Sequence, residues 1–136
     1  MDLPDQAQAR RFDIDWRWAL PRVALVFVVT RLLVVAVAVA VEATQPDQPP
    51  GAVVDGRPVL ASLASWDAKY FVSIADSGYH ADPSYGPDYA FYPLYPAVTR
   101  AASVLTLGDT VLAGVLVANL AFAAALVVLY ALSVRY

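Results

Sequence analysis

The 136-residue chain has no cysteine, one histidine and one methionine, and only 15% of its residues are charged. Without cysteine there is no disulfide, no thiolate nucleophile and no Cys-ligated zinc. A lone histidine, His80, excludes any multi-histidine metal site. Nine Lys and Arg against twelve Asp and Glu leave a net charge of −3, which excludes a basic nucleic-acid-binding module. No Walker loop, Rossmann fingerprint, HExxH or GxSxG occurs, and no internal repeat is visible. What is abundant is apolar: 60% of residues, with a mean hydropathy of +0.56, where soluble domains hold about 45–50%. The excess lies in long uncharged tracts, so the chain reads as a membrane protein.

Two tracts carry it. Residues 23–41 are broken only by Thr30 and Arg31, and residues 111–134 hold no formal charge and one amide, Asn119. At about 1.5 Å per residue they reach roughly 28 and 36 Å, enough for a hydrocarbon core of about 30 Å. In lipid each backbone amide needs an internal partner, so even the Val-rich run goes helical. The expected fold is an all-α integral membrane protein: two transmembrane helices flanking a long extracytoplasmic loop with short interfacial helices. A cleaved signal peptide is the rival reading of the first tract, since arginines precede it and Ala38-Val39-Ala40 resembles a cleavage site. Its length and Arg31 argue against that. Arg10, Arg11, Arg17 and Arg22 in segment 1–22, against three basic residues in 42–109, place both termini in the cytoplasm and the connector outside the plasma membrane. Trp16 and Trp18 suit an interfacial belt.

The 42–109 connector holds six of the eight tyrosines and eight of the ten prolines. Disordered linkers are poor in aromatics, so an ordered, membrane-hugging substructure is expected. Residues 42–58 read as exposed loop. Residues 65–78 read as an amphipathic helix with Ser65 as N-cap, Gly78 just past its end, and Trp66, Tyr70, Ile74 and Ser77 on one face. An aromatic-proline segment, 79–96, leads into an apolar stretch, 97–107, too short to span. Gly108-Asp109 then break before the second membrane helix.

Each candidate site residue has an ordinary alternative. Asp67, beside Trp66 at the head of an interfacial helix, is placed to act as a general base, a role that asks burial to raise a carboxyl toward neutrality. An acid in a first helical turn also simply suits the helix dipole. Arg31, about 12 Å into its span, reads as a counter-ion to a lipid phosphate or as half of a buried ion pair. Tyr70, Tyr79, Tyr92 and Tyr95 could line a sugar site, yet tyrosines are common at interfaces for their amphipathic shape. His80 could touch a phosphate or be a solvated loop residue. Asp76, Asp82 and Asp88 match no calcium-loop spacing and are read as solvated. Asn119 could hydrogen-bond a neighbouring helix.

The order of these pieces carries a resemblance. Arg31 is followed by Trp66-Asp67-Ala68-x-x-Phe71-x-x-Ile74-Ala75-x-x-Gly78-Tyr79, then by Ala90-Phe91-Tyr92-Pro93-Leu94-Tyr95-Pro96, then by Ala118-Asn119-Leu120-Ala121-Phe122. From about residue 20 onward the chain resembles the N-terminal part of the PIG-V-type mannosyltransferases. The resemblance implies a GT-C-type membrane glycosyltransferase with a polyprenyl-phosphate-sugar donor and an active site in the first outer loop. Asp67 would be the base; Trp66, Tyr70, Tyr79, His80, Tyr92, Tyr95 and Arg31 would bind substrate. No cofactor is implied beyond the lipid-linked donor, and a need for divalent metal stays open. The implied partners are the bilayer and the remaining helices of a split or truncated enzyme, since such enzymes have many more spans. The competing expectation is a non-catalytic subunit docking onto a larger helical membrane protein through Arg31, Asn119 and the aromatic loop.

Overall fold

The computed structural model describes residues 14–44, 57–80 and 88–135. Most of the basic N-terminal segment, the Pro/Gly-rich stretch at 45–56, and Asp82 and Tyr85 lie outside the described residues. Among the described residues five α-helices follow in order: α1 (Trp16–Thr44), α2 (Pro58–Leu63), α3 (Ala68–Ser77), α4 (Leu94–Ser103) and α5 (Thr110–Arg135). Short 3-10 turns occupy Asp88–Ala90 and Val104–Thr106. Among the described residues there is no strand.

Helices α1 and α5 are each long and apolar enough to cross a membrane. The chain is an all-α membrane protein. Helix α1 is longer than the apolar tract that predicts it, because Asp15 starts it seven residues earlier than 23. The Asp15 carboxylate accepts the Arg17 amide at 3.1 Å, and its carbonyl accepts the amides of Trp18 and Ala19. That is N-cap chemistry. Pro21 lies inside the helix and removes one backbone donor. Arg22 reaches back to the Trp18 carbonyl at 3.2 Å and lies over the Trp18 ring.

The chain divides into two compact units, residues 1–33 with 120–136, and residues 34–119. In the first, Phe27 and Phe122 rings meet at 5.9 Å. The second holds the connector and has its own small core of Ala61, Ala64, Val72 and Val111, with Leu60 against it. Ala61 of α2 and Ala64 just past its end contribute small apolar groups to that core.

Helix α2 corrects the reading of 42–58 as loop throughout: Pro58 opens it. Proline is well suited to a first helical position, where its missing amide would be unpaired anyway. The 65–78 prediction holds as a helix but shifts at its start. Ser65 does not cap α3; its hydroxyl donates to the Ala61 carbonyl at 2.9 Å and closes α2. Trp66 then takes a left-handed conformation (φ 57°), which no helix continues through, so α3 begins at Ala68 with Asp67 as N-cap. Gly78, at φ 80°, ends it as expected. Pro93 occupies the N-cap position of α4 without a side-chain bond, and Pro96 falls in the first turn, where its missing amide would be unpaired anyway. Asp109 starts α5, its carboxylate accepting the Leu112 amide at 2.9 Å.

Candidate functional site

The two sequence motifs meet through one aromatic ring. Tyr70 stacks on Phe91 with centroids 5.0 Å apart, and Phe71 meets the same ring edge-on at 5.0 Å. Tyr70 and Phe71 are one turn along α3 from Asp67, whose own backbone is already helical (φ −67°, ψ −25°). A spacing of three and four residues puts all three on one face. Tyr79 adds a tie, its hydroxyl donating to the Phe91 carbonyl at 2.6 Å. Phe91 is thus held from both ends of the first motif.

Beside this cluster is an open depression of about 530 Å³ lined by Tyr79, Tyr89, Ala90, Phe91, Tyr92 and Pro93. Tyr89 and Tyr92 are highly exposed. Aromatic faces next to phenolic hydroxyls suit a sugar ring, with its apolar C–H face and its hydroxyl edge.

Asp67 and Trp66 stand clear of the protein. Asp67 is exposed and its carboxylate makes no capping bond to α3, although capping is what an N-cap aspartate ordinarily does. Trp66 is 88% exposed. The expected packing of Asp67 against Trp66 is therefore not found, and Trp66 does not share the helix face of Tyr70 and Ile74. The helix instead buries Val72, Ile74 and Ala75, and Ser77 is exposed. A bulky non-glycine residue in the left-handed region is strained by roughly 1–2 kcal/mol. Strain and exposure fall together on the residue preceding the candidate base. Lys69, also exposed, puts its Nζ 4.9 Å from the Tyr70 ring centroid.

Asp88 corrects its reading as solvated: it is 2% exposed. One carboxylate oxygen accepts the His80 backbone amide at 2.7 Å and lies 3.0 Å from His80 Nδ1. The His80 amide, chiefly, holds the Asp88 carboxyl below its ordinary value, with burial opposing. His80 is accordingly a partner of the fold, not a solvated loop residue. Scattered six-residue spacing hid Asp88; its place beside Tyr89 and Phe91 in the aromatic-proline segment was the signal available.

Tyr95 faces inward. Its ring meets Phe71 edge-on at 5.2 Å, and its hydroxyl donates to the Gly114 carbonyl of α5 at 2.9 Å. Burial pushes the phenol above its ordinary value. Of the tyrosines expected to bind substrate, Tyr79 and Tyr92 line the depression, Tyr70 supports it from below through Phe91, and Tyr95 anchors α4. Arg31 belongs to the other compact unit, where its guanidinium lies 4.2 Å from the Phe122 ring centroid and 5.9 Å from that of Phe27. Asn119 donates to the Val115 carbonyl of its own helix at 2.7 Å. No cluster of three metal-ligating side chains occurs among the described residues.

Comparison with known proteins matches residues 17–136 to the family described as mannosyltransferase (PIG-V). Over 78 residues, half of this chain, it is 44% identical to GPI mannosyltransferase 2 of Cryptococcus neoformans var. neoformans serotype D. The same figures hold for that protein in a second strain, B-3501A. The matched stretch covers 18% of the length of these curated relatives. No solved structure matches the chain.

Proposed function

This chain belongs to the mannosyltransferase (PIG-V) family, and on that premise we propose that it carries the donor-side part of a membrane mannosyltransferase active site. The donor is a polyprenyl-phosphate mannose, the reaction takes place at the outer face of the membrane, and Asp67 is the base. The observation that supports this best is the exposed, uncapping carboxylate of Asp67 on the same α3 face that grips Phe91 of the second motif.

Asp67 accepts the proton of an acceptor hydroxyl as that oxygen attacks the anomeric carbon. The new C–O bond forms on one face while the bond to the phosphate oxygen breaks on the other, so the configuration inverts. The lipid phosphate departs as an anion. It is already a good leaving group, and no second carboxylic acid is needed to protonate it. Positive charge on the sugar ring in the transition state resembles that of glycoside hydrolysis. Lys69, two residues from Asp67, supplies a cation for the lipid phosphate, and the Tyr79/Tyr89/Tyr92 depression holds the sugar. Trp66, held strained and bare, meets the lipid or sugar face.

The test follows radiolabelled mannose from polyprenyl-phosphate mannose into lipid acceptors, in membranes carrying the protein expressed from its own gene. Asp67→Asn keeps the shape and removes the base. Transfer should fall by at least about a hundredfold, the lower range for loss of a general base. Transfer at the full rate by Asp67→Asn would remove Asp67 from that role.

A further inference from the structure

The turn that joins α4 to α5 presents apolar side chains where a soluble turn presents polar ones. Val104 is 78%, Leu105 86% and Leu107 99% exposed. Leu107 also has φ 57°, a left-handed conformation usually left to glycine or asparagine. A leucine that is both strained and bare gains nothing from contacts within the chain.

The polar groups of the same turn are turned the other way. Ser103 donates its hydroxyl to the Arg100 carbonyl at 2.7 Å. The Thr106 hydroxyl lies 3.1 Å from the Ser103 carbonyl and 2.7 Å from that of Asp109. Asp109 accepts the Leu112 amide and pairs with Arg57 at 2.5 Å. The Gly108 amide closes onto the Ser103 carbonyl at 2.8 Å. Polar groups satisfied internally and apolar ones outward is the arrangement lipid requires and water does not.

Position selects the occupant. Leu107 lies three residues before Thr110, the first residue of the second span. Even fully extended, at about 3.5 Å per residue, that keeps it within roughly 11 Å of the start of the span, in the zone where interfacial side chains bury. We propose that Val104, Leu105 and Leu107 form a membrane-dipping knuckle that inserts into the headgroup–acyl boundary of a phospholipid bilayer. It fixes the height of the connector over the lipid surface. The inference is independent of the proposed chemistry.

The natural absence of cysteine makes the test direct. Leu105→Cys, labelled with an environment-sensitive nitrobenzoxadiazole dye, is reconstituted into phosphatidylcholine/phosphatidylglycerol vesicles containing lipids spin-labelled near the headgroup. The expected result is blue-shifted emission and quenching by the lipid label at least about twofold stronger than at Ser77→Cys, an exposed position on α3. Val104→Cys is read the same way, so a folding failure of one variant does not stop the experiment. Quenching at both positions by aqueous iodide as strong as at Ser77→Cys would overturn the proposal. So would shielding from both quenchers, which would put a protein surface over the knuckle.

Discussion

At the scale of single residues, Gly114 and Tyr95 set how closely α4 approaches the head of α5. A Cβ at Gly114 would sit 3.1 Å from the Tyr95 hydroxyl and 3.5 Å from Thr99 Cγ2. Gly114→Ala should therefore displace the phenol and weaken its bond to the Gly114 carbonyl; the better helix propensity of alanine offsets the loss in part, and the contact itself is worth about 1 kcal/mol. Tyr95→Phe removes the same hydroxyl and should cost a similar amount. Because both act on one contact, the double variant should lose less than the sum of the singles. Denaturation of the four proteins in bilayer discs checks this, and simple additivity would show that the two do not share a contact. Trp66 gives the opposite pattern. Trp66→Gly relieves a left-handed backbone and should stabilise the protein, offset in part by glycine's freedom in the unfolded chain, for a net gain below about 1 kcal/mol. The same change should lower mannose transfer if the bare indole meets substrate. Melting and transfer measured on one preparation separate the two effects.

At the scale of elements, two carboxylates secure the connector, Asp109 at its end and Asp88 within it. Asp109 caps α5 and takes Arg57 from the segment before α2; the Arg57 bond, with the Leu112 amide, holds it below the ordinary carboxylate value. Asp88 is lowered by the His80 amide. A carboxyl whose folded pKa is depressed binds its proton more weakly folded than unfolded. Its stabilisation is therefore complete above the unfolded value of about 4 and is lost as the pH falls through the folded value. The melting temperature should hold at neutral pH and drop in acid below about pH 4. Asp109→Asn removes one of the two carboxyls and should flatten that drop, at a cost near neutrality below about 1 kcal/mol from the lost Arg57 ion pair, since asparagine caps about as well as aspartate. An acid limb unchanged in Asp109→Asn would show that this carboxyl does not drive it.

At the scale of the whole molecule, the proposed chemistry needs the connector on the side where the lipid-linked sugar is presented. Four arginines ahead of the apolar tract at 23–41 predict that the connector is outside and both termini inside. Single cysteines at Ser77 and in the N-terminal segment, probed with a membrane-impermeant maleimide on intact cells, should react and stay silent respectively. The reverse pattern would exclude an outer-face reaction.

The amino-acid order by itself determined the membrane class, both spans and the α3 helix. Each rests on local physics: a single run of about twenty predominantly apolar residues satisfies its backbone in lipid as a helix, and glycine at a left-handed position ends one. It also exposed the two motifs and their family resemblance, since those are contiguous strings. Only the tertiary structure decided what the side chains do. Asp88 looked like one of three scattered acids and proved buried against His80; Tyr95 looked like a sugar-binding phenol and proved to be a strut to Gly114. Ser65 looked like the cap of α3 and proved to close α2, leaving Asp67 at the helix head with a carboxylate that caps nothing. These differences share a cause. Burial and hydrogen-bond partners come from residues far along the chain, brought near by packing, and composition or periodicity within one stretch carries no record of them.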